Sequence, residues 1–161
     1  MVTQAGPDQP VEGRFDGSVH RFPVRVYVED TDLSGVVYHA NYLRYMERAR
    51  SDMLRLAGID QRARWEAGEG AYAVTDVQIR YAAPARLDDA LLVVSTLTQV
   101  RAASVVIHQQ VRKGEAVLTD ARVTAALVGA SGRPVRQPPE WIAIYTELCR
   151  GLVAQGATLN P

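Results

Sequence analysis

Residues Tyr42 to Ala57, YLRYMERARSDMLRLA, decide the fold. Tyr42, Tyr45, Met46, Ala49, Met53, Leu54 and Ala57 recur at three and four residues, the spacing that stacks side chains on one helical face. Arg44, Glu47, Arg48, Arg50, Asp52 and Arg55 fall elsewhere. Asn41 is placed to cap the start, and Gly58 stands where a left-handed residue ends a helix. A helix of about sixteen residues spans roughly 24 Å, and its apolar face must lie against something. The partner follows Gly70 as four strand patterns: AYAVTDVQIRYAA, ALLVVSTLTQV, ASVVIHQQVR and AVLTDARVTAALV. Their short connections, PARLDD, Arg101-Ala102 and Lys113-Gly114-Glu115, predict antiparallel neighbours. Ahead of the helix, RFPVRVYV (Arg21 to Val28) alternates as a half-buried strand with Phe22, Val24, Val26 and Val28 on one side. Pro138, Pro139 and Glu140 open a short terminal helix. The architecture is therefore α+β, one long central helix wrapped by a five-stranded antiparallel sheet. One helix covers only one sheet face and leaves an edge strand, so edge-to-edge pairing of two subunits is expected.

The 161 residues suffice for one domain, expected over 19–151, with a flexible N-terminal arm over 1–18 and a flexible tail over 152–161. Eighteen basic and eighteen acidic side chains cancel, which disfavours a nucleic-acid partner. The single Cys149 excludes an internal disulfide and any site built from several thiolates. His20, His39 and His108 have no ligand spacing, so neither metal nor cofactor is expected. No apolar run reaches the roughly 18 residues of a membrane span, and the opening stretch lacks the apolar core of a signal peptide. The expected location is cytoplasmic. Trp65 and Trp141 are expected to be packing anchors, and Cys149 a small apolar residue of the terminal helix.

Chemistry concentrates in RVYVEDTDLSGVVYHAN, Arg25 to Asn41. Asp30 and Asp32 end a strand, Gly35 follows, and His39 stands immediately before a helix start. Free N–H groups at a helix start, reinforced by the helix dipole, can hold a developing oxyanion. A nearby aspartate can activate water or attack a carbonyl directly. Spacing alone leaves a plain structural reading open, since acids also cap turns.

The string R-V-x4-T-D-x2-G-V-V-Y-H-A-N-Y, followed by Y-M-E-R-A-R, resembles the 4-hydroxybenzoyl-CoA thioesterase-like branch of hotdog-fold proteins, most closely the acyl-CoA thioesterases associated with the Tol-Pal system. The resemblance implies a hotdog fold and hydrolysis of an acyl thioester, carried by CoA or by acyl carrier protein. It implies Asp32 as nucleophile or general base, Asp30 as a supporting neighbour, and a backbone N–H at or beside His39 as oxyanion donor. Tyr38, Gly35 and Asn41 fall in the same pocket motif, and His39 could orient water, protonate the leaving thiolate or bind the thioester oxygen. The family assembles as homodimers, often paired into homotetramers, with shared active sites. Arg101, Arg133 and Arg136 are candidates for the CoA phosphates, by charge and by loose similarity. A hotdog dehydratase and a non-catalytic hotdog module that binds acyl-CoA or acyl carrier protein are the alternatives.

Overall fold

The computed structural model describes residues 6–154. In chain order the strands are β1 (Arg14–Asp16), β2 (Val19–Arg25), β3 (Ala71–Tyr81), β4 (Ala90–Val100), β5 (Ser104–Lys113) and β6 (Ala116–Val128). The helices are α1 (His39–Leu56), α2 (Gln61–Glu66) and α3 (Pro139–Ala154). All strands join one antiparallel sheet in the order β1-β2-β4-β5-β6-β3. The sheet has six strands rather than the expected five, because Arg14–Asp16 fold back on β2 within the stretch expected to be a flexible arm. What holds this hairpin is Asp52 of α1, whose Oδ2 accepts from the Gly13 N–H at 3.0 Å and lies 2.7 Å from His20 Nε2. A Cβ on Gly13 would stand 2.7 Å from that same oxygen, so the strand is seated directly on the helix. At the other end α3 runs to Ala154, into the expected tail, and 155–161 lie outside the described residues.

The long helix begins three residues earlier than its periodicity indicates. Tyr38 occupies the cap position and Asn41 sits inside the first turn, where its amide donates to the Asp30 carbonyl at 2.8 Å. The periodicity misses this turn because Asn41 bonds the loop before the helix and His39 stands beside Tyr81 at the sheet edge, outside the apolar stripe. The far end closes as read: Gly58 has φ +84, its N–H reaches Arg55 O, and the Ile59 N–H reaches Leu54 O. Those two bonds satisfy orphan carbonyls of the last turn, and buried Ile59 packs back beside Leu54.

The apolar face of α1 divides the core in two. Tyr42, Tyr45, Met46 and Ala49 pack with Val24, Val26, Val93, Val111 and Leu118. Further along, Met53 and Leu54 pack with Leu97, Ile107 and Leu127, and with Trp141 and Tyr145 of α3. Each large side chain buried there is worth about 1.5–3 kcal/mol relative to exposure. Between the two clusters lies a polar seam. Arg50 donates to Gln109 at 2.8 Å and pairs with Glu47, while Gln109 donates to Ser95 Oγ and to the Met46 carbonyl.

Two local expectations change, at Val28 and at Trp65. Val28 is exposed because the chain leaves β2 at Arg25 and makes a single 3-10 turn, Val28–Asp30. Trp65 lies on the short α2, which Asp60 caps, and faces solvent, whereas Trp141 is buried with Arg64 over its ring. Cys149 is half-buried, its thiol donating to the Leu97 carbonyl at 3.4 Å. At the sheet edge, β3 has only β6 as a neighbour among the described residues, and Val74, Val77 and Tyr81 are exposed along it. No described helix is long and apolar enough to cross a membrane.

The His20–Asp52 pair makes a testable statement. Burial pushes the His20 imidazole below its ordinary 6.5, against the opposing pull of Asp52. The unfolded chain therefore takes up a proton where the folded chain resists it, so stability is full above about 6.5 and falls as pH drops through that value. Thermal unfolding followed by circular dichroism between about pH 8 and pH 5 is expected to show the midpoint falling on the acid side. His20→Gln is expected to lower the midpoint overall and flatten that slope; an unchanged slope would remove His20 as its cause.

Candidate active site

The chain between β2 and α1 folds as a miniature hairpin. Thr31 bridges Val37, the Asp32 N–H reaches the Val36 carbonyl at 3.0 Å, and the Gly35 N–H reaches the Asp32 carbonyl at 3.0 Å. Gly35 closes this tight turn at φ +79, and a Cβ there would meet nothing, so backbone angle and not space selects glycine. Gly35 therefore shapes the turn. The segment before β4 supports the hairpin from beneath: Val36 bridges Arg86, the Val37 N–H reaches the Ala85 carbonyl, and the Ala85 N–H donates to Tyr42 Oη.

Asp30 and Asp32, two residues apart, have opposite environments. Asp30 is buried; its carboxylate accepts the Tyr27 N–H at 2.8 Å, and its carbonyl accepts the Tyr38 N–H and the Asn41 amide. Burial and the neighbouring Asp30 carboxylate push the Tyr45 phenol up. Asp32 is exposed. Its Oδ1 accepts both the N–H and the hydroxyl of Ser34, and Oδ2 has no partner among the described residues. The Ser34 hydroxyl, the Ser34 N–H and, more weakly, His39 hold the Asp32 carboxyl below the usual carboxylate range. One oxygen is thus held by Ser34 and the other is unpartnered among the described residues.

Seven residues on, His39 is the first residue of α1. No side chain caps this start, and among the described residues neither the His39 N–H nor the Ala40 N–H has an acceptor. Two adjacent free donors at the positive end of an eighteen-residue helix form the arrangement an oxyanion needs. The His39 ring lies 4.5 Å from the Tyr38 ring, centre to centre, and 6.2 Å edge-on from Tyr81. Tyr81 Oη donates to the His39 carbonyl at 2.9 Å. A cavity of about 300 Å³ opens here between Val37, His39, Tyr42, Tyr81 and Pro84. A larger apolar groove of about 640 Å³, between Phe15, Leu56, Ile144 and Leu148, contains none of the residues singled out from the sequence.

Asp32, Gly35, Tyr38, His39 and Asn41 are therefore gathered in one place. Arg101, Arg133 and Arg136 are not: they stand in the β4–β5 turn and in the segment after β6, at the end of the sheet where β3 begins. The helix start lies beside Tyr81, where β3 ends, a strand length or roughly 30 Å away. Among the described residues no group of three or more His, Cys, Asp or Glu is gathered as for a metal. Two further residues, Ser34 and Tyr81, join the site although the sequence pattern assigns them no role. Ser34 follows Asp32 by two, a spacing at which side chain and backbone commonly bond, so its signal was present. Tyr81 is 42 residues from His39, and its contact is set by packing alone.

Residues 34–119 match the model of the thioesterase superfamily. The acyl-CoA thioesterase YbgC of Haemophilus influenzae is 39% identical over 128 residues, which covers 79% of this chain and 94% of that protein. The acyl-CoA thioester hydrolase YbgC of Escherichia coli O6:H1 is 43% identical over 112 residues, covering 69% and 83%. Among solved structures, a probable thioesterase from Bartonella henselae superposes with TM-score 0.70 at 36% identity, covering 74% of this chain and 99% of that one. The Synechocystis protein Slr0204, a 1,4-dihydroxy-2-naphthoyl-CoA thioesterase, has the same fold at 24% identity, with TM-score 0.74 and coverage of 80% and 96%. Sequence match, fold and relatives agree that the chain belongs to the thioesterase superfamily, in its hotdog-fold form.

Proposed function

We propose that the chain hydrolyses acyl-CoA at the start of α1, with Asp32 as the reacting carboxylate. The observation that carries this reading is an exposed Asp32 with one free oxygen, held on a pinned turn beside two unpartnered N–H groups. The thioester carbonyl oxygen takes the His39 and Ala40 N–H groups, which stabilise the charge that develops on it. Asp32 then acts by one of two routes. As general base it takes a proton from water, whose oxygen bonds to the carbonyl carbon before the C–S bond breaks. As nucleophile its free oxygen bonds to that carbon, CoA leaves as thiolate, and water cleaves the resulting anhydride. Both routes turn acyl-S-CoA and water into free acid and CoA-SH. His39 is the nearest imidazole that could hand a proton to the leaving sulfur. The named relatives are thioester hydrolases, and no observation favours the dehydratase or the non-catalytic module.

Subunit pairing belongs to the same proposal. The β3 edge offers unpaired backbone groups and exposed Val74 and Val77 to a second copy. Antiparallel pairing of two β3 edges would reverse one sheet against the other. Arg101, Arg133 and Arg136 of the partner subunit would then lie on the side of this Asp32, where CoA phosphates need cations. A homodimer, with a homotetramer as its further pairing, and a cytoplasmic location complete the reading. Acyl carrier protein remains the alternative carrier of the acyl group.

Thiol release from acyl-CoAs running from acetyl to palmitoyl, with benzoyl, tests the reaction and reports acyl preference. Asp32→Asn is expected to lose about three powers of ten or more in kcat on the best substrate; near wild-type turnover would refute the assignment. The lowered carboxyl of Asp32 places the acid limb of kcat/KM below the ordinary carboxylate range, and Ser34→Ala is expected to move that limb upward. A limb that stays put would detach Ser34 from the reacting group. Val77→Lys sets like charges together at the pairing edge and is expected to reduce the light-scattering mass to a monomer with little activity. An active wild-type monomer would count against shared sites.

A further inference from the structure

We infer that Tyr81 is a positioning residue for the reaction proposed at the start of α1. It is the last residue of the edge strand and stands opposite Thr119 of β6. Its hydroxyl donates to the His39 carbonyl at 2.9 Å, and its ring lies edge-on to those of His39 and Tyr42, at 6.2 Å and 5.6 Å. Although the residue stands at the exposed edge, partial desolvation lifts its phenol above the ordinary value, so it keeps its proton and remains a donor.

The bond matters because of which peptide group it touches. In a helix the first carbonyl already accepts the N–H four residues on, and Tyr81 occupies its second lone pair. The His39 carbonyl and the Ala40 N–H belong to one peptide unit. A donor on the oxygen draws charge through that unit and makes the N–H a stronger donor, as in any chain of linked hydrogen bonds. Ala40 N–H is one of the two groups free to meet the thioester oxygen. Tyr81 therefore acts on the oxyanion without touching it, by holding the first helical turn in place and by strengthening one of its donors. The interaction of that donor grows as charge moves onto the oxygen, so the effect belongs to the transition state and falls on kcat. Because Tyr81 lies on the strand proposed to pair with the second subunit, the same hydroxyl ties the helix start to that edge.

Tyr81→Phe removes the hydroxyl and leaves the ring to pack. The inference rests on the proposed site, so Asp32→Asn is assayed beside it. The expected result is a kcat lowered about five- to tenfold, with KM held within about twofold and with melting midpoint and solution mass unchanged. An unchanged kcat, or a loss that follows a lower midpoint or a smaller mass, would overturn the inference. Retained activity in Asp32→Asn would strike the role of Asp32 alone, since the Tyr81 comparison reads turnover at the helix start whichever group attacks.

Discussion

The carbonyl oxygen of Asp30 accepts from the Tyr38 N–H and from the Asn41 side chain, and the geometry of the site depends on that one atom. It joins the loop that carries Asp32 to the first turn of α1, so the Asp32 carboxylate and the free N–H groups of the helix start are held as one body. Each bond is worth only about 1 kcal/mol in net stability. Their value lies in placement, because a misplacement of about 1 Å can cost a hundredfold in rate. The carboxylate of Asp30, turned inward onto the Tyr27 N–H, holds the atom itself still. Two acids in sequence thus divide the labour: the buried one builds the platform and the exposed one is left chemically available.

A helix resting on a single sheet must also be kept from sliding along it, and here polar groups do this. Arg50 and Gln109 meet across the interface: Arg50 donates to Gln109, Gln109 donates back to the Met46 carbonyl of the helix, and its bond to Ser95 ties the same side chain to the neighbouring strand. A slide of one helical turn would part the Arg50 guanidinium from Gln109 and leave the Gln109 amide without the Met46 carbonyl, and buried polar groups without partners are costly. The Asp52 carboxylate does the same work farther along, gathering Gly13, His20 and Arg55. These links set where along the sheet the first turn of α1 comes to rest.

Period and spacing made most of this legible. The long helix, the four later strands and the terminal helix could all be read because each carries a long, uninterrupted pattern. The early strand could be read only in part, since the chain leaves the sheet while the alternation continues to Val28. β1 was hidden: three residues bear no period, and they fold because Asp52, far along the chain, offers an acceptor. The motif from Asp30 to Asn41 was legible as chemistry because it is contiguous. Arg50, Gln109 and Tyr81 were not, since polar residues within apolar or edge patterns acquire meaning only when register brings their partners opposite.

Cys149 illustrates how burial shapes what a residue will do toward reagents. Carried on α3, its thiol is half-buried, donates to a strand carbonyl, and is pushed above its ordinary value by burial. Little of it is thiolate near neutral pH, and thiolate is the form that attacks disulfide dyes and alkylating probes. A colorimetric reagent that reports liberated CoA will thus register product over a quiet protein background, and the folded chain needs no cysteine replacement before its turnover is followed.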